Sequence, residues 1–473
     1  MLDWVIFGTY LIALLIFGLW RSRGVSSLDD FLVANRSLGF WVLTGTLVMT
    51  EFNPSTMVWM TGLGYLGGPS AVVLAGIFVA GLGLYTVLVA KRWKRLNVTS
   101  LAELFELRYH RGLRLAASLM ILFALSLFSV GYLKATAAVF GSALGMSEGW
   151  VAVLLCASVL GVTVMGGLTS VAWTDLFSFA FAVVMIPVLF GIAWTGSGGW
   201  EGLCAVYPDA AFAVNPVGAW AEGAVPFRLI LTVYFVIVWV YLLAPWYAQR
   251  MFAARSEAVA YRSMAWSTLL VTVLYAMVMM VGALYRTVDP ALPGEAGADR
   301  ALGLAINEWM PVGLKGLFLA TVFAICQTTM SSIWNTHVSM TTEDIYHGVF
   351  RREASQQERF VVARVLTVGL AVFTLAAVFR FDATVREINF LGNIFFASLF
   401  FAGIGGFVWS RASAAAAWTS LIAANATGLG LYFWDRMDPA FLPPLAGGWD
   451  FYFYVVAMPC VLALGVAVSL CDR

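Results

Sequence analysis

Residues Thr44–Gly62 read TGTLVMTEFNPSTMVWMTG. The stretch is apolar enough for a membrane interior, yet Glu51, Asn53, Pro54 and several hydroxyls sit at its middle. Pro54 lacks a backbone donor and disrupts helical hydrogen bonding one turn earlier. Carbonyls freed at membrane depth are tolerated only where they line a cavity or bind something. A similar interruption, Ala244-Pro245-Trp246, falls five apolar runs later. Two broken helices at corresponding places in two five-helix halves are the pattern of an inverted-repeat transporter. A pair of ordinary proline kinks is the plainer alternative.

The rest of the chain agrees with a membrane setting. Of its 473 residues 61% are hydrophobic and 11% charged, with a mean hydropathy of +0.87. Soluble domains carry roughly 25% charged residues, so this chain cannot coat itself with enough charge for water. Its 19 Trp and 16 Tyr suit interfacial anchors on both leaflets. Apolar runs of about 20 residues, the length that crosses a bilayer, recur about thirteen times. The expectation is an all-α membrane protein, a single polytopic domain over residues 1–473, with its repeats at about 40–195 and 227–410.

Orientation follows from the basic residues. The first run, Leu2–Trp20, has Arg21 and Arg23 after it and no basic residue before it, the reverse of a signal peptide. A retained helix with the N-terminus outside then places 19 Lys and Arg on inside segments and 7 outside, with Lys134 inside a span. That asymmetry obeys the positive-inside rule and puts the C-terminus in the cytoplasm of an inner-membrane protein. The five cysteines have no CxxC or Cys/His spacing and read as small buried hydrophobes.

Four segments carry a family resemblance. SSLDDFLVANRSLGFW (Ser26–Trp41) precedes the first broken span, and MTGLGYLGG (Met60–Gly68) ends it. GGLTSVAWTDLF (Gly166–Phe177) and TTMSSIWNTHVSMTTEDIY (Thr328–Tyr346) follow in order. Together they resemble the sodium:solute symporter family over roughly residues 1–410. The resemblance implies a LeuT-type core of ten helices in 5+5 inverted repeats, with one helix before and two after.

For the coupling ion the resemblance implies Na⁺, held by the carbonyls of Met49, Phe52 and Ile325 and the hydroxyls of Thr328 and Thr329. Broken helices supply such carbonyls, and a neighbouring helix can add hydroxyls. The Thr-Thr pair departs from the Ser-Ser or Ser-Thr of many members, but oxygen is still supplied. Two threonines back-bonding to their own helix is the plainer reading. Asp175, after the Trp-Thr of the third motif, matches an acid near the family's sodium exit path. It could equally serve the positive end of its helix.

The substrate candidates are Glu51, Asn53, Thr56, Trp59, Phe78, Lys134, Tyr241, Pro245, Trp246 and Asn393. Ionisable groups at this depth are functional candidates by default. Glu51 and Lys134 could pair with each other or face the two ends of a zwitterionic solute; Lys134 could also snorkel outward. Trp59, Tyr241 and Trp246 could box a quaternary ammonium, or simply pack. Where sugar-carrying members place a Gln, an acid and a Ser, this chain has Thr56, Ala75 and Phe78. Each unpaired sugar hydroxyl would cost roughly 1–3 kcal/mol, which disfavours hexoses. In WVYLLAPWYAQR (Trp239–Arg250) the Pro-x-x-x-x-Arg run of Pro245 and Arg250 resembles amino-acid and choline-type members. The resemblance therefore implies an amino acid, a carboxylate or a quaternary ammonium compound.

The expected activity is sodium-coupled symport of a small organic solute by alternating access, without enzyme chemistry. There is no HExxH or GxSxG, and the three histidines are scattered. No nucleic-acid partner is expected. A transporter-like sensor signalling to a partner protein is the alternative, disfavoured because no signalling domain follows the last apolar run.

Overall fold

The fold is built by two chain breaks and the helices that close around them. The computed structural model describes residues 2–22, 33–96, 98, 101–163, 168–215, 225–438 and 448–472. Ser26–Leu32 of the first motif, Gly166 and Gly167 of the third, Arg23 and Arg473 lie outside these residues.

The described chain is nearly all helical. Helix α1 (Leu2–Ser22) precedes the broken pair α2 (Phe40–Glu51) and α3 (Pro54–Gly67). Then come α4 (Val72–Tyr85), α5 (Arg111–Leu144), α6 (Glu148–Thr163) and α7 (Leu168–Gly196). The second broken pair is α8 (Phe227–Val236), continued by a wide turn over Ile237–Tyr241, and α9 (Pro245–Ala253). Helices α10 (Glu257–Tyr285), α11 (Leu314–Met340), α12 (Gln356–Arg380) and α13 (Val385–Ser398) follow. Helices α14 (Ala414–Met437) and α15 (Met458–Cys471) end the chain. The one described strand pairing joins Val214–Asn215 to Val225–Pro226.

Among the described residues eight helical runs can cross a membrane by length and composition, or nine if the bent pair Phe227–Tyr241 and Pro245–Ala253 is one span. Leu2–Leu14 and Glu148–Leu160 are shorter apolar helices. The expected thirteen exceeds this count partly because Pro54–Leu96 is one run of 43 residues, read from the sequence as parts of two spans. Gly68 turns the chain inside that run at φ +63°, a conformation open to glycine at little cost.

Helix α10 packs along α2, α3 and α4, while α7 packs on α2 and α13 on α5. A side chain at Gly64 would run into the Met279 carbonyl, and one at Gly282 into that of Thr61. Small residues thus let α3 and α10 approach at backbone distance, the usual device of membrane helix pairs. The two broken pairs are tied where α2 begins and α9 ends. Leu38 N–H donates to Ala253 O (3.1 Å) and Arg255 N–H to Leu38 O (3.0 Å). Among the candidate spans Leu314–Phe350 is the most buried and Gln356–Arg380 the least. The first therefore stands at the centre of the bundle and the second at its lipid-facing rim.

Of the cysteines, Cys156 and Cys326 are buried as expected, but Cys204, Cys460 and Cys471 are exposed. A cysteine at the rim of a membrane bundle meets lipid at no polar cost, so an apolar run does not by itself imply burial.

Candidate functional site

Helix α2 ends at Glu51 because its next donors are lost or diverted. In a continuous helix Asn53 N–H would bond Met49 O; here it bonds Glu51 O at 2.8 Å. Pro54 has no N–H for Thr50 O. Thr56 N–H, the helical partner of Phe52 O, bonds the Asn53 side-chain oxygen at 2.9 Å instead. Asn53 is thus the N-cap of α3, with Pro54 in the first helical position, an arrangement both residues favour. The result is a set of carbonyls, Met49, Thr50 and Phe52 among them, released from the helix ladder.

Helix α11 packs against both halves of the break. Its Thr328 hydroxyl bonds Ile325 O at 3.3 Å, and Thr328 and Thr329 are both buried. The back-bond of Thr328 is long and leaves the oxygen's lone pairs available. Carbonyls and hydroxyls make a donor set suited to a hard monovalent cation, and the Asp175 carboxylate lines the same cavity wall as Thr329.

Glu51 is 3% exposed and is held by three phenols. Tyr241 donates to Oε1 at 2.7 Å, Tyr275 to the same oxygen at 3.3 Å, and Tyr247 to Oε2. Tyr275 also donates to the Glu51 backbone carbonyl at 2.7 Å. Tyr241 and Tyr247 flank the second break, while Tyr275 comes from α10. The pairing of Glu51 with Lys134, one of the alternatives left open by the sequence, does not occur. The Lys134 ammonium donates to the carbonyls of Ala383 and Phe381, in the connector between α12 and α13. Its flexible stem takes the charge away from the cavity towards the end of the bundle, which is the snorkelling alternative.

Above the break lies a cavity of about 630 Å³, part of it open to solvent. From the first broken pair it is lined by Glu51, Asn53, Thr56 and Trp59, and from α4 by Phe78. Tyr241 and Trp246 come from the second pair, and Asn389 and Asn393 from α13. Arg386 stands at its far wall, paired with Glu295 (2.6 Å) and Asp450. Asn389 donates to the Ser55 hydroxyl at 2.7 Å. The aromatic box is partial. Tyr241 and Trp246 meet edge to face at 6.4 Å, whereas Trp59 packs on Phe390 at 5.7 Å.

A second cavity, of about 490 Å³, lies on the other side of Thr50, Tyr132 and Trp246, which line both. Pro245 lines this one rather than the first, because the break turns it away from Glu51. Its walls also carry Asp175, Gln249, Arg250, Thr329, Ser332 and Thr336. Asp175 accepts from the Thr46 hydroxyl at 2.6 Å and pairs with Arg250 at 3.4 Å. Arg250 Nε in turn donates to the Thr46 oxygen at 2.9 Å. The first turn of α7 contains no acid. Asp175 therefore sits past the reach of the helix dipole, which fades within one turn, and its partner is a guanidinium.

Several residues of these sites escaped the sequence reading. Tyr247 follows Pro245 by two positions, so proximity to the break was a usable signal for it. Arg250, five positions on, figured in the sequence only as the end of the Pro-x-x-x-x-Arg run and not as a partner of Asp175. Arg386, at the start of an apolar run, was a weaker signal. Tyr275 and Thr46 gave none, since each is an unremarkable member of an apolar run.

The chain can now be compared with known proteins. The sequence profile described as the Sodium:solute symporter family matches residues 31–423. The sodium/proline symporter of Salmonella typhimurium is 25% identical over 79% of this chain and 76% of its own length. The sodium/sialic acid symporter SiaT of Proteus mirabilis is 24% identical over 79% and 77%. The sodium/glucose cotransporter of Vibrio parahaemolyticus is 24% identical over 78% and 73%. Among solved structures, a substrate-bound, outward-open Na⁺-coupled sialic acid symporter superposes with a TM-score of 0.79. It shares 18% identity and covers 100% of this chain and 98% of that one. MhsT in complex with L-phenylalanine superposes with a TM-score of 0.54 at 13% identity, over 92% and 99%. Those likenesses establish the LeuT-type fold, and with a profile that spans most of the sequence, the chain belongs to the sodium:solute symporter family.

Proposed function

We propose that this protein carries a small organic solute across the cytoplasmic membrane together with Na⁺, by alternating access, and that the solute is an amino acid, a carboxylate or a quaternary ammonium compound. Membership of a symporter family establishes sodium-coupled transport in general terms. The relatives named above carry solutes as different as proline, sialic acid and glucose, so the solute class rests on this chain's own cavity. Its walls mix aromatic residues, among them Trp59, Tyr241 and Trp246, with polar ones such as Asn53, Thr56 and Asn393, and place Phe78 where sugar-carrying members have a polar group. The observation that carries the proposal is the release of carbonyls at the α2–α3 break, where Thr50 lines both cavities and shares one of them with Thr329 of α11.

In this mechanism Na⁺ enters from outside and ties α2 to α11 through the oxygens of Met49, Phe52, Ile325, Thr328 and Thr329. Fixing the break shapes the neighbouring cavity around Glu51, Asn53, Thr56 and Asn393. The layer of Thr50, Tyr132 and Trp246 then separates an outer cavity from an inner one, and rocking of the core exchanges which is open. Na⁺ leaves past Asp175. Coupling is a differential affinity: Na⁺ favours the solute-competent state, and the solute by linkage tightens Na⁺. The N-terminus lies outside and the C-terminus in the cytoplasm, as the distribution of basic residues supports.

The test is uptake into proteoliposomes across a range of Na⁺ concentrations. Thr328→Ala and Thr329→Ala are expected to raise the Na⁺ concentration for half-maximal uptake by about tenfold, the equivalent of one lost ligand worth about 1.4 kcal/mol. An unchanged sodium dependence in both variants rejects this ligand set.

A further inference from the structure

We propose that the transported solute carries a cationic head, a protonated amine or a quaternary ammonium, and that Glu51 with its three tyrosines is the counter-ion that receives it. This inference rests on the symport reading above and names the solute class for the same cavity.

The first argument is charge balance. Two charged residues line the upper cavity, Glu51 and Arg386. Arg386 is already matched by two carboxylates, Glu295 and Asp450. Glu51 has no ion-pair partner among the described residues; all of its side-chain partners are phenols. Tyr241 and Tyr247 donate one hydrogen bond to each carboxylate oxygen, while Tyr275 shares its single proton between Oε1 and the Glu51 backbone carbonyl. An acceptor role on both oxygens suits a carboxylate. Neutral donors hold the charge without cancelling it, and a buried charge calls for an opposite one.

The second argument is what the breaks offer an anion. In transporters of this architecture a half-helix N-terminus can face an anionic group of the solute. Here both half-helices start with proline, Pro54 and Pro245, so each lacks its first donor. Thr56 N–H is taken by Asn53, and Tyr247 N–H by Ala244 O at 3.2 Å. One amide, Ser55 or Trp246, remains in each first turn. The opposite polarity is served by the C-terminal end of α2, whose negative dipole end is Glu51 itself, apart from the carbonyls of Met49 and Phe52 assigned above to Na⁺.

The third argument is the wall. Tyr241 and Trp246 stand edge to face at 6.4 Å, and Phe78 lies 6.2 Å from Tyr241. Their rings border the same cavity as the carboxylate. Aromatic faces beside an anion attract an organic cation.

The experiment uses the full-length protein purified in detergent, with thermal stability read in NaCl. The probes are choline, 3,3-dimethylbutan-1-ol (which replaces the ammonium nitrogen of choline by carbon), L-proline and acetate. The expected result is stabilisation by choline or proline at concentrations at least tenfold below those needed for dimethylbutanol or acetate. That discrimination should fall below about threefold in Glu51→Gln and return in part in Glu51→Asp. Equal stabilisation by dimethylbutanol or acetate overturns the proposal on the wild type alone, whether or not the variants fold. So does the absence of any shift with both choline and proline, or discrimination retained in Glu51→Gln. A Glu51→Gln variant that loses its response to Na⁺ but keeps the probe preference makes Glu51 an ion ligand and also overturns it. The response of the solute-free wild type to NaCl against KCl is read separately. A sodium shift without probe discrimination rejects the cationic head and leaves symport standing; no sodium shift rejects the symport reading itself.

Discussion

Two carboxylates are buried in the heart of this bundle, and they are satisfied in opposite ways. Asp175 is 2% exposed and closes a triangle with Arg250 and Thr46, so its charge is cancelled within the protein. Glu51 is as deeply buried but is surrounded by phenols, so its hydrogen bonds are complete and its charge is not cancelled. Both belong to the region of the two breaks, yet they face different cavities. The difference separates two jobs. A neutralised pair can hold helices together and let go of them as a unit, whereas an uncancelled charge leaves an interaction unmade until a cation arrives.

The contrast can be broken most forcefully at Arg250. Arg250→Ala strands the Asp175 carboxylate and should cost about 3–5 kcal/mol in unfolding free energy. Glu51→Gln removes a charge that had no partner, and should cost no more than about 1–3 kcal/mol, from phenols that must find new acceptors. Unfolding of both variants in mixed detergent measures the difference. Equal losses would show that Glu51 is as fully compensated as Asp175.

A half-buried carboxyl sharpens the comparison from outside the spans. Asp299, between α10 and α11, accepts the Val385 amide at 3.1 Å. Burial pushes its carboxyl up to about 7, opposed by the Val385 amide and Lys134 and reinforced by Glu295 and Glu148. The folded protein therefore keeps a proton that an unfolded chain, with a carboxyl near 4, has released. Stability should be greatest below about pH 4, fall as the pH rises to about 7, and level off above it. The size of the fall is on the order of a few kcal/mol. Asp299→Asn should flatten that slope in melting curves taken from pH 4 to 8. A slope that survives would assign it to other groups.

The smallest effect is expected at Lys134. With its ammonium on the carbonyls of Ala383 and Phe381, Lys134→Met should cost roughly 1 kcal/mol of stability. Half-saturation for solute should stay within about twofold, the scale of a change remote from the site. A larger loss of affinity would return Lys134 to the cavity.

What was legible in the sequence was local. Pro54 lacks its donor wherever it is placed, and Asn53 caps the residue three positions ahead, so the first break and its released carbonyls are written in five consecutive residues. The second break is written in Pro245 alone, because Ala244 before it has no capping side chain. Family-type motifs then set the order of the helices and the threonines opposite the break. What only the tertiary structure decided was the company each charge keeps. Tyr275 reaches Glu51 across 224 positions of chain and Arg250 reaches Asp175 across 75. No period or motif announces such pairs, because a hydrogen bond between distant helices depends on their packing. Here that packing includes the close crossing of α3 and α10 at Gly64 and Gly282. The same packing sent Lys134 to a loop carbonyl instead of Glu51. Sequence could place an acid and a base at similar depth, but which helix faces they occupied was settled by contacts made only once the bundle had formed.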